Sequence, residues 1–571
     1  MVRETASLGS SRATTARSQG AAVTEVRADN STCSVPTTAG EADPGRLVLD
    51  GTSLEIDQVV AVANRSGTRV DLDESAVDRV RESWLMKFRL IETGMAIYGV
   101  TTGFGDSVVR QVSPEKTTEL QHNLIRYHLN GTGPSAPPEV VRATLLIRAN
   151  CLSRGYSAVN PAIILALTDL LANDVLPVIP QRGSVGASGD LVPLCYVASA
   201  LIGEGTVRYA GQLRPSAEVL AALGLTPVTL HAKDGLALIN GTSFSAAYSA
   251  LTVAAAQRLA VLADICTALA TEALLGNRGA FHRFIHLQKP HPGQLASAGL
   301  IAELLAGSHL ALDHDQVVAM NPPHAEGGYR QLSRSIQDRY SIRCAPHVTG
   351  VLRDTLTFAS AWVRTEINST NDNPLFDTES GSARSGGNFY GGHLVQAMDS
   401  LKAAVANIAD LLDRQVALLV DEKFNNGLTP NLIEPVEPGD WAAGLHHGFK
   451  GMQIACSAIT AEALKTTMPA SVFSRSTEAH NQDKVSMAPL AARDAWAVTQ
   501  LVEEVAAIHL LAACQALDLR GAERMSPRTR AVHDLVRREV PRQPADRRMD
   551  SDIAAVLRLI RSGELVDSVA E

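Results

Sequence analysis

The sequence predicts a mainly α-helical protein built around long helices. Aromatic residues make up only 4% of its 571 residues, while alanine and leucine are abundant, and this balance favours helices over a β-sandwich. From Thr242 onward, apolar residues recur at helical spacing. Two such stretches, residues 400–421 and 491–519, can each reach about 30 Å or more at ~1.5 Å per residue. Long helices with wide apolar faces indicate a bundle that other subunits complete.

The first 45 residues differ from the rest and are expected to form a disordered extension. They are rich in Ser, Thr, Ala and Gly and contain few large apolar residues, so they bury too little surface to fold alone. A transit peptide is the alternative. It is disfavoured because acidic residues such as Glu4, Glu25 and Asp29 occur throughout the segment and no apolar stretch is present.

Short elements alternate between residues 46 and 240, which indicates a mixed N-terminal domain, and residues 241–571 then form the long-helix bundle and C-terminal helices. The expected elements of the first part follow from periodicity and from glycine-marked turns. They are a strand and turn (47–51), a helix from Ser75, a glycine-rich loop (97–105), helices around Leu120 and over 140–152, and strands near 205–213.

Composition and charge exclude several classes of protein. The formal net charge is -9, so no broad basic surface is available for nucleic acid. The most apolar window, residues 251–275, contains Asp264 and Glu272, and we interpret it as a buried helix rather than a membrane span. The seven cysteines are scattered and odd in number, which favours reduced thiols in a cytoplasmic protein. No metal site is expected, because His282 and His286, although spaced like zinc ligands, lack a second ligand pair.

The most informative block is GSVGASGDLVPL, residues 183–194, with Ala187-Ser188-Gly189 at its centre. Its glycines permit a tight bend of the backbone. A strand-like run precedes the block and an apolar run follows it, so the tripeptide is expected to be held in a partly buried turn. The tripeptide alone is common in proteins, and only the longer block is specific.

Five further blocks accompany this one in order along the chain. They are YGVTTGFG (98–105), GLALINGT (235–242), DRYSIR (338–343), NSTNDNPL (368–375) and HNQD (480–483). Together the six blocks resemble the aromatic amino acid ammonia-lyase and 2,3-aminomutase family, over roughly residues 46–571.

The resemblance implies a cofactor, a fold and an assembly. The cofactor is MIO (4-methylidene-imidazol-5-one), an electrophile formed autocatalytically from Ala187-Ser188-Gly189 with loss of two waters, and no metal or nucleotide is implied. The fold is the mainly α MIO-type ammonia-lyase fold, a fumarase/aspartase-like long-helix bundle with a mixed N-terminal MIO domain. The assembly is a homotetramer whose active sites each draw residues from three chains.

The resemblance also assigns roles to single residues. Tyr98 matches the base that removes a β-proton, and since a free tyrosine has a pKa of about 10, the site must lower that pKa or form the phenolate transiently. Asn240 matches the residue that holds the MIO carbonyl oxygen. Tyr340 matches a second tyrosine beside the amine, and Arg343 matches the clamp on the substrate carboxylate, which suits a bidentate guanidinium.

A further set of residues matches substrate-binding or orienting positions: Gln337, Asn371, Phe389, Lys450, Glu478 and Gln482. Of these, Asn371 and Phe389 are expected near the ring and the carboxylate. Glu478 resembles a carboxylate found in phenylalanine- and histidine-type lyases, whereas tyrosine-type members usually have a neutral residue there. Lys450 also resembles the phenylalanine-type lyases, and an ion pair between Glu478 and Lys450 is expected.

The pair Tyr127-His128 aligns with the segment of the family that selects the aromatic ring. Phenylalanine lyases usually carry Phe-Leu there, bacterial tyrosine lyases often His-Leu, and histidine lyases and some tyrosine aminomutases Ser-His. Tyr127 keeps an aromatic wall, while His128 adds a polar group that could bond a phenol or an imidazole. The alternative is that His128 points away and bonds the backbone.

The resemblance therefore predicts elimination of ammonia from an aromatic L-amino acid, with phenylalanine (to trans-cinnamate) first and tyrosine next. A 2,3-aminomutase that makes a β-amino acid for secondary metabolism stays open, as does a histidine ammonia-lyase. A non-catalytic relative is disfavoured, because Ser188, Tyr98 and Arg343 are all present.

Overall fold

The structure is a computed structural model that describes residues 46–321, 327–332 and 334–569. The predicted disordered extension, residues 1–45, lies outside the described residues, and so does Cys33. The described chain is mainly helical, as predicted.

The first part of the fold mixes short strands with helices of moderate length. The strands are β1 Arg46–Leu49, β2 Arg69–Leu72, β3 Thr132–Ser135, β4 Leu176–Pro177, β5 Pro180–Arg182, β6 Thr206–Tyr209 and β7 Gln212–Pro215. They form a parallel pair β1–β2, an antiparallel pair β3–β5 and a three-stranded antiparallel sheet in the order β4–β6–β7. The helices are α1 Ile56–Asn64, α2 Glu74–Glu92, α3 Thr117–Tyr127, α4 Pro138–Ser153, α5 Pro161–Ala172, α6 Leu191–Leu201, α7 Ser216–Ala222 and α8 Asp234–Ile239.

Long helices dominate the remainder, with a single hairpin, β8 Leu375–Asp377 and β9 Ser382–Arg384, among the described residues of this part. The helices are α9 Ser243–Ala273, α10 Arg283–Leu287, α11 Pro292–Leu304, α12 His314–Ala319, α13 Tyr340–Arg343, α14 Ala345–Ile367, α15 Gly392–Val420, α16 Lys450–Lys465, α17 Ala488–Arg520, α18 Pro527–Glu539, α19 Asp550–Ser562 and α20 Glu564–Asp567.

The core of the bundle is formed by α9, α14, α15 and α17, which pack along one another. Helices α9 and α17 are long and apolar enough to cross a membrane by length and composition alone, but 83% and 78% of their most apolar windows are buried inside the chain. Burial in the core accounts for their apolar sequence. The interpretation of residues 251–275 as a buried helix is confirmed by α9.

Most predicted elements are confirmed, and the differences are at their ends. Helix α15 begins eight residues before the predicted position 400, since its first turns are also apolar, and the predicted apolar face, including Leu401, Ile408 and Leu412, is buried. The described residues belong to one compact unit. The division at residue 240 stays a prediction.

The site is positioned by three helix starts. Helix α6 begins directly after the Ala187–Gly189 turn, α9 begins after Asn240–Thr242, and α17 begins after Met487, whose N–H donates to the carbonyl of Val185 at 2.9 Å. The turn is therefore held between the α8–α9 junction and the segment that leads into α17.

Candidate active site

The Ala187-Ser188-Gly189 turn adopts a strained backbone that is fixed by close packing. Ser188 has φ +52° and Gly189 φ +78°, and the left-handed region costs a non-glycine residue about 1–2 kcal/mol. A Cβ on Gly189 would overlap the carbonyl oxygen of Gly241. The same oxygen accepts the N–H of Asp190 at 2.6 Å. Strain of this kind, held by its surroundings, is typical of a functional site.

Each of the two oxygen atoms of Ser188 accepts a hydrogen bond from a different side-chain amide. Asn240 Nδ2 donates to the Ser188 carbonyl oxygen at 2.7 Å, and Gln482 Nε2 donates to Ser188 Oγ at 3.3 Å. Cyclisation to MIO would remove the Ala187 oxygen and Ser188 Oγ as water and keep the Ser188 carbonyl as the ring carbonyl. Asn240 is thus placed on the oxygen that the ring retains, and the residues present fit the group.

A cavity of about 620 Å³ opens over this turn. It brings together most of the residues that the sequence predicted for the site. They are Tyr98, Tyr127, His128, Ala187, Ser188, Asn240, Phe389, Glu478 and Gln482. Its volume lies within the range of about 300–1,000 Å³ that is typical of small-molecule sites.

Tyr98 reaches the cavity from the loop after α2. Its hydroxyl accepts the N–H of Gly105 at 3.1 Å. Burial raises the pKa of Tyr98 above its ordinary value of 10, the Gly105 N–H lowers it, and the Glu478 carboxylate raises it further. Within one chain Tyr98 is therefore a neutral phenol, and its own chain does not supply the lowered pKa that the expected role as a base calls for.

Glu478 is held by an unusual turn. Glu478, Ala479 and His480 have φ of +52°, +49° and +66°, and an antiparallel bridge between Thr477 and Gln482 closes the turn. The Glu478 carboxylate accepts the N–H of Asp106 at 2.9 and 3.0 Å.

The turn therefore fastens the HNQD segment to the Tyr98 loop. The expected ion pair with Lys450 is not formed within one chain among the described residues. Lys450 is exposed at the start of α16, because the bundle places that helix end outside the cavity.

His128 both bonds the backbone and lines the cavity, so each of the two expectations holds in part. Its Nδ1 lies 2.9 Å from the carbonyl oxygen of Leu124, and its ring lies 4.4 Å from that of Tyr127. Burial lowers the pKa of His128, so the ring is neutral at pH 7. A neutral ring that donates Nδ1–H to a carbonyl has Nε2 as an acceptor.

With this geometry in place, the comparisons with known proteins identify the family. The sequence profile of the aromatic amino acid lyases matches residues 54–538. The chain belongs to the aromatic amino acid lyase family.

Relatives in this family include both lyases and an aminomutase. A histidine ammonia-lyase of Gloeobacter violaceus is 41% identical over 92% of this chain and 97% of its own length. A tyrosine ammonia-lyase of Cupriavidus metallidurans is 40% identical over 91% and 97%. The crystal structure of a tyrosine aminomutase from Streptomyces globisporus matches with a TM-score of 0.85 at 36% identity, over 92% of this chain and 98% of that one.

Asn371 was expected near the ring and the carboxylate, but it lies behind the cavity over the Ala187–Gly189 turn and does not line it. Its Nδ2 donates to Thr242 Oγ1 at 2.8 Å, and its Oδ1 accepts from Arg148 at 3.3 Å. Both polar ends of the buried side chain are thus used inside the protein. Asn373, two residues further along the NSTNDNPL block, lines the cavity.

The DRYSIR block is not brought to the tripeptide within one chain. Gln337 and Arg343 line a separate cavity of about 370 Å³, which shares no lining residue with the first. Arg343 donates to the Asp338 carbonyl at 3.1 Å and stacks over the exposed ring of Tyr340. One chain therefore brings the tripeptide and Tyr98 together without Arg343, the expected carboxylate clamp.

Sequence reasoning assigned no role to several residues that the structure places at the site. Gly105 donates to Tyr98, and Asn481 and Lys484 line the cavity. Gly105 and Asn481 lie inside the blocks YGVTTGFG and HNQD, but residue type alone did not indicate a role for either. Arg148 reaches the Asn240 carbonyl from behind, and the predicted helix 140–152 contains a second arginine, Arg142, so residue type alone did not single it out.

Proposed function

We propose that this protein eliminates ammonia from an aromatic L-amino acid, with tyrosine as the preferred substrate, at a MIO group formed from Ala187, Ser188 and Gly189. The observation that carries the proposal is the placement of Asn240 on the one Ser188 oxygen that cyclisation retains, in the same cavity as Tyr98. When formed, MIO supplies an electrophilic alkene to the substrate amine.

The protein's own residues then position the substrate and move one proton. Asn240 holds the ring carbonyl, and Tyr98 takes the β-proton. The β-proton of an amino acid is weakly acidic, so orientation and charge placement must provide much of the rate. Since burial raises the pKa of Tyr98 in one chain, a nearby positive charge from another subunit would favour the phenolate.

The state of His128 supports tyrosine ahead of phenylalanine, which the sequence alone had placed first. With Nδ1–H committed to Leu124, Nε2 can accept a phenol O–H or an imidazole N–H. A phenyl ring would leave that acceptor without a partner. The relatives named as tyrosine and histidine ammonia-lyases agree with a ring that carries a donor.

The assembly that we propose for this function is a homotetramer, in which neighbouring copies complete each site. Arg343, the expected carboxylate clamp, lies outside the cavity, and Tyr340 is 72% exposed beside it in the same chain. A neighbouring copy that places its Gln337, Tyr340 and Arg343 over the first copy's Ser188 would complete the site. The six free cysteines of the described residues agree with a cytoplasmic setting.

A 2,3-aminomutase is the second candidate, favoured by the TM-score of 0.85 to a tyrosine aminomutase structure. It would use the same residues and differ in keeping the arylacrylate bound until the amine returns at the β-carbon. The difference lies in how fast the acrylate is released.

The test is incubation of the purified protein with tyrosine, phenylalanine and histidine separately, with products resolved by chromatography and mass. We expect coumarate and ammonia from tyrosine at the highest kcat/KM. A β-amino acid as the main product would replace the lyase by the aminomutase. A Ser188→Ala variant that retains full turnover, or a wild-type protein inactive on all three substrates, would refute the proposal.

A further inference from the structure

A fully buried arginine lies directly behind the cyclising turn. Arg148 belongs to α4 and is 1% exposed. Its Nη2 donates to the carbonyl oxygens of Ala237 and Asn240, the latter at 2.9 Å, and its Nη1 donates to Asn371 Oδ1 at 3.3 Å. Its Nε has no partner.

Arg148 is held by neutral oxygens only. Among the described residues no carboxylate forms an ion pair with it, although a buried charge is normally paired. Burial lowers the pKa of Arg148, and Asp372 opposes that effect from a distance. Burial of an unpaired guanidinium costs folding free energy, and apolar side chains of similar volume often give equal or greater stability. Packing alone therefore does not account for an arginine at this position.

The Arg148 guanidinium donates hydrogen bonds to the segment that contacts the Ala187–Gly189 turn. The carbonyls of Ala237 and Asn240 lie at the C-terminal end of α8, where backbone acceptors have no partner within the helix. The next residue, Gly241, is so close that a Cβ there would overlap Arg148 Nη1. On its other side, the Gly241 carbonyl would overlap a Cβ on Gly189. Arg148, Gly241 and Gly189 thus form three layers with no side chain between them.

We propose that Arg148 is a positioning residue for cyclisation of the tripeptide. It fixes the Asn240–Gly241 segment, which in turn holds the Ser188 carbonyl through Asn240 Nδ2 and the Asp190 N–H through the Gly241 carbonyl. The inference rests on the proposed function and names a residue, outside the cavity, on which formation of the cofactor depends.

Cyclisation is a step in which geometry limits the rate. The Gly189 nitrogen forms a bond to the Ala187 carbonyl carbon, and the Ala187 oxygen leaves as water with the amide protons of Gly189 and Ser188. The second water carries the Ser188 hydroxyl and the Ser188 Cα proton. No oxidant or other reactant is needed. A misplacement of about 1 Å in such an intramolecular reaction costs on the order of 10²-fold in rate.

The planar fork of arginine is what the arrangement uses. Three oxygens on two chain segments are reached by Nη1 and Nη2 together, which a single ammonium group on a shorter stem cannot reproduce. Arg148→Lys keeps the positive charge but loses the fork. We therefore expect it to slow cyclisation, and Arg148→Met to slow it further.

The same helix provides a matched control. Arg142, also on α4, donates to Asp174 at 2.7 and 3.2 Å and to the carbonyl of Ala63 at 3.0 Å. It makes no hydrogen bond to residues 237–241. Arg142→Met therefore removes a largely buried guanidinium from α4 without touching the segment that holds the turn.

The experiment follows the intact mass of the soluble, folded fraction of each variant after synthesis, with thermal midpoints measured in parallel. We expect wild type and Arg142→Met to lose two waters at similar rates, and Arg148→Met to lose them about 10²-fold more slowly. Arg148→Lys should fall between them, and it decides the question if Arg148→Met is insoluble.

The contradicting results are separable. Arg148→Lys that cyclises at the wild-type rate overturns the inference. So does Arg142→Met that slows as much as the Arg148 variants, because loss of stability would then explain both. A wild-type chain that never loses two waters overturns the proposed function itself, and this inference with it.

Discussion

Replacement of His128 by phenylalanine tests how the cavity reads the aromatic ring. The variant keeps an aromatic ring against Tyr127, whose ring centroid lies 4.4 Å from that of His128 in the wild-type protein. It removes the Nε2 acceptor. It also removes the bond from Nδ1 to the Leu124 carbonyl, so some stability is lost. That loss acts equally on all substrates and cancels in a ratio of two kcat/KM values.

The magnitude follows from one hydrogen bond in a half-buried site. A phenol that donates to a neutral imidazole contributes about 1–3 kcal/mol when its loss leaves a polar group unpaired. This corresponds to a factor of about 5 to 150. For phenylalanine the sign reverses, because the variant removes an acceptor that a phenyl ring leaves unsatisfied. The ratio of kcat/KM for tyrosine over phenylalanine should therefore fall by at least about fivefold.

The assay is initial-rate kinetics of acrylate formation from both amino acids at pH 8. The control is His122→Phe. His122 lies on the same helix, α3, but does not line the cavity, so this variant should leave the ratio of the two kcat/KM values unchanged. An unchanged ratio in the His128→Phe variant would refute the reasoning, since the ring would then not contact His128.

Three further predictions concern the Tyr98 loop and the assembly. Glu478→Gln removes a charge that raises the pKa of Tyr98, so the rising limb of the pH profile of kcat/KM should move to lower pH; an unmoved or higher limb contradicts this. Gly105→Ala, at φ +55° and against Glu478, should lower kcat, whereas Gly94→Ala, at φ +74° in open space, should lose only about 1–2 kcal/mol of stability in thermal denaturation; equal kcat values contradict it. Tyr98→Phe and Arg343→Met chains, each inactive alone, should regain activity when coexpressed, and no recovery contradicts shared sites.

The local parts of the site could be predicted from the sequence. The tripeptide, Asn240 and Tyr98 lie in blocks whose glycines permit tight turns, and the structure brings Ala187, Ser188, Asn240 and Tyr98 to one cavity. The long helices were predictable for a similar reason, because the apolar periodicity of α15 and α17 reports burial directly.

The other contacts of the site depend on how distant segments of the chain pack together. Residue type alone does not predict that packing. Asn371 was placed near the ring because of its block, but its two polar ends are taken by Thr242 and Arg148 behind the cavity. Glu478 was expected to pair with Lys450 because of the family resemblance, whereas within one chain a left-handed turn directs its carboxylate to the N–H of Asp106. In both cases a backbone partner or a buried neighbour decides the contact.

The central claim is that the Ala187–Gly189 turn becomes an electrophilic ring. The most direct measurement is the intact mass of the purified chain beside that of Ser188→Ala. The account predicts a wild-type mass lower than that of the encoded sequence by two waters. It also predicts that Ser188→Ala cannot form the alkene, cannot lose the second water and produces no acrylate from tyrosine. A folded wild-type chain at its full encoded mass would contradict the account.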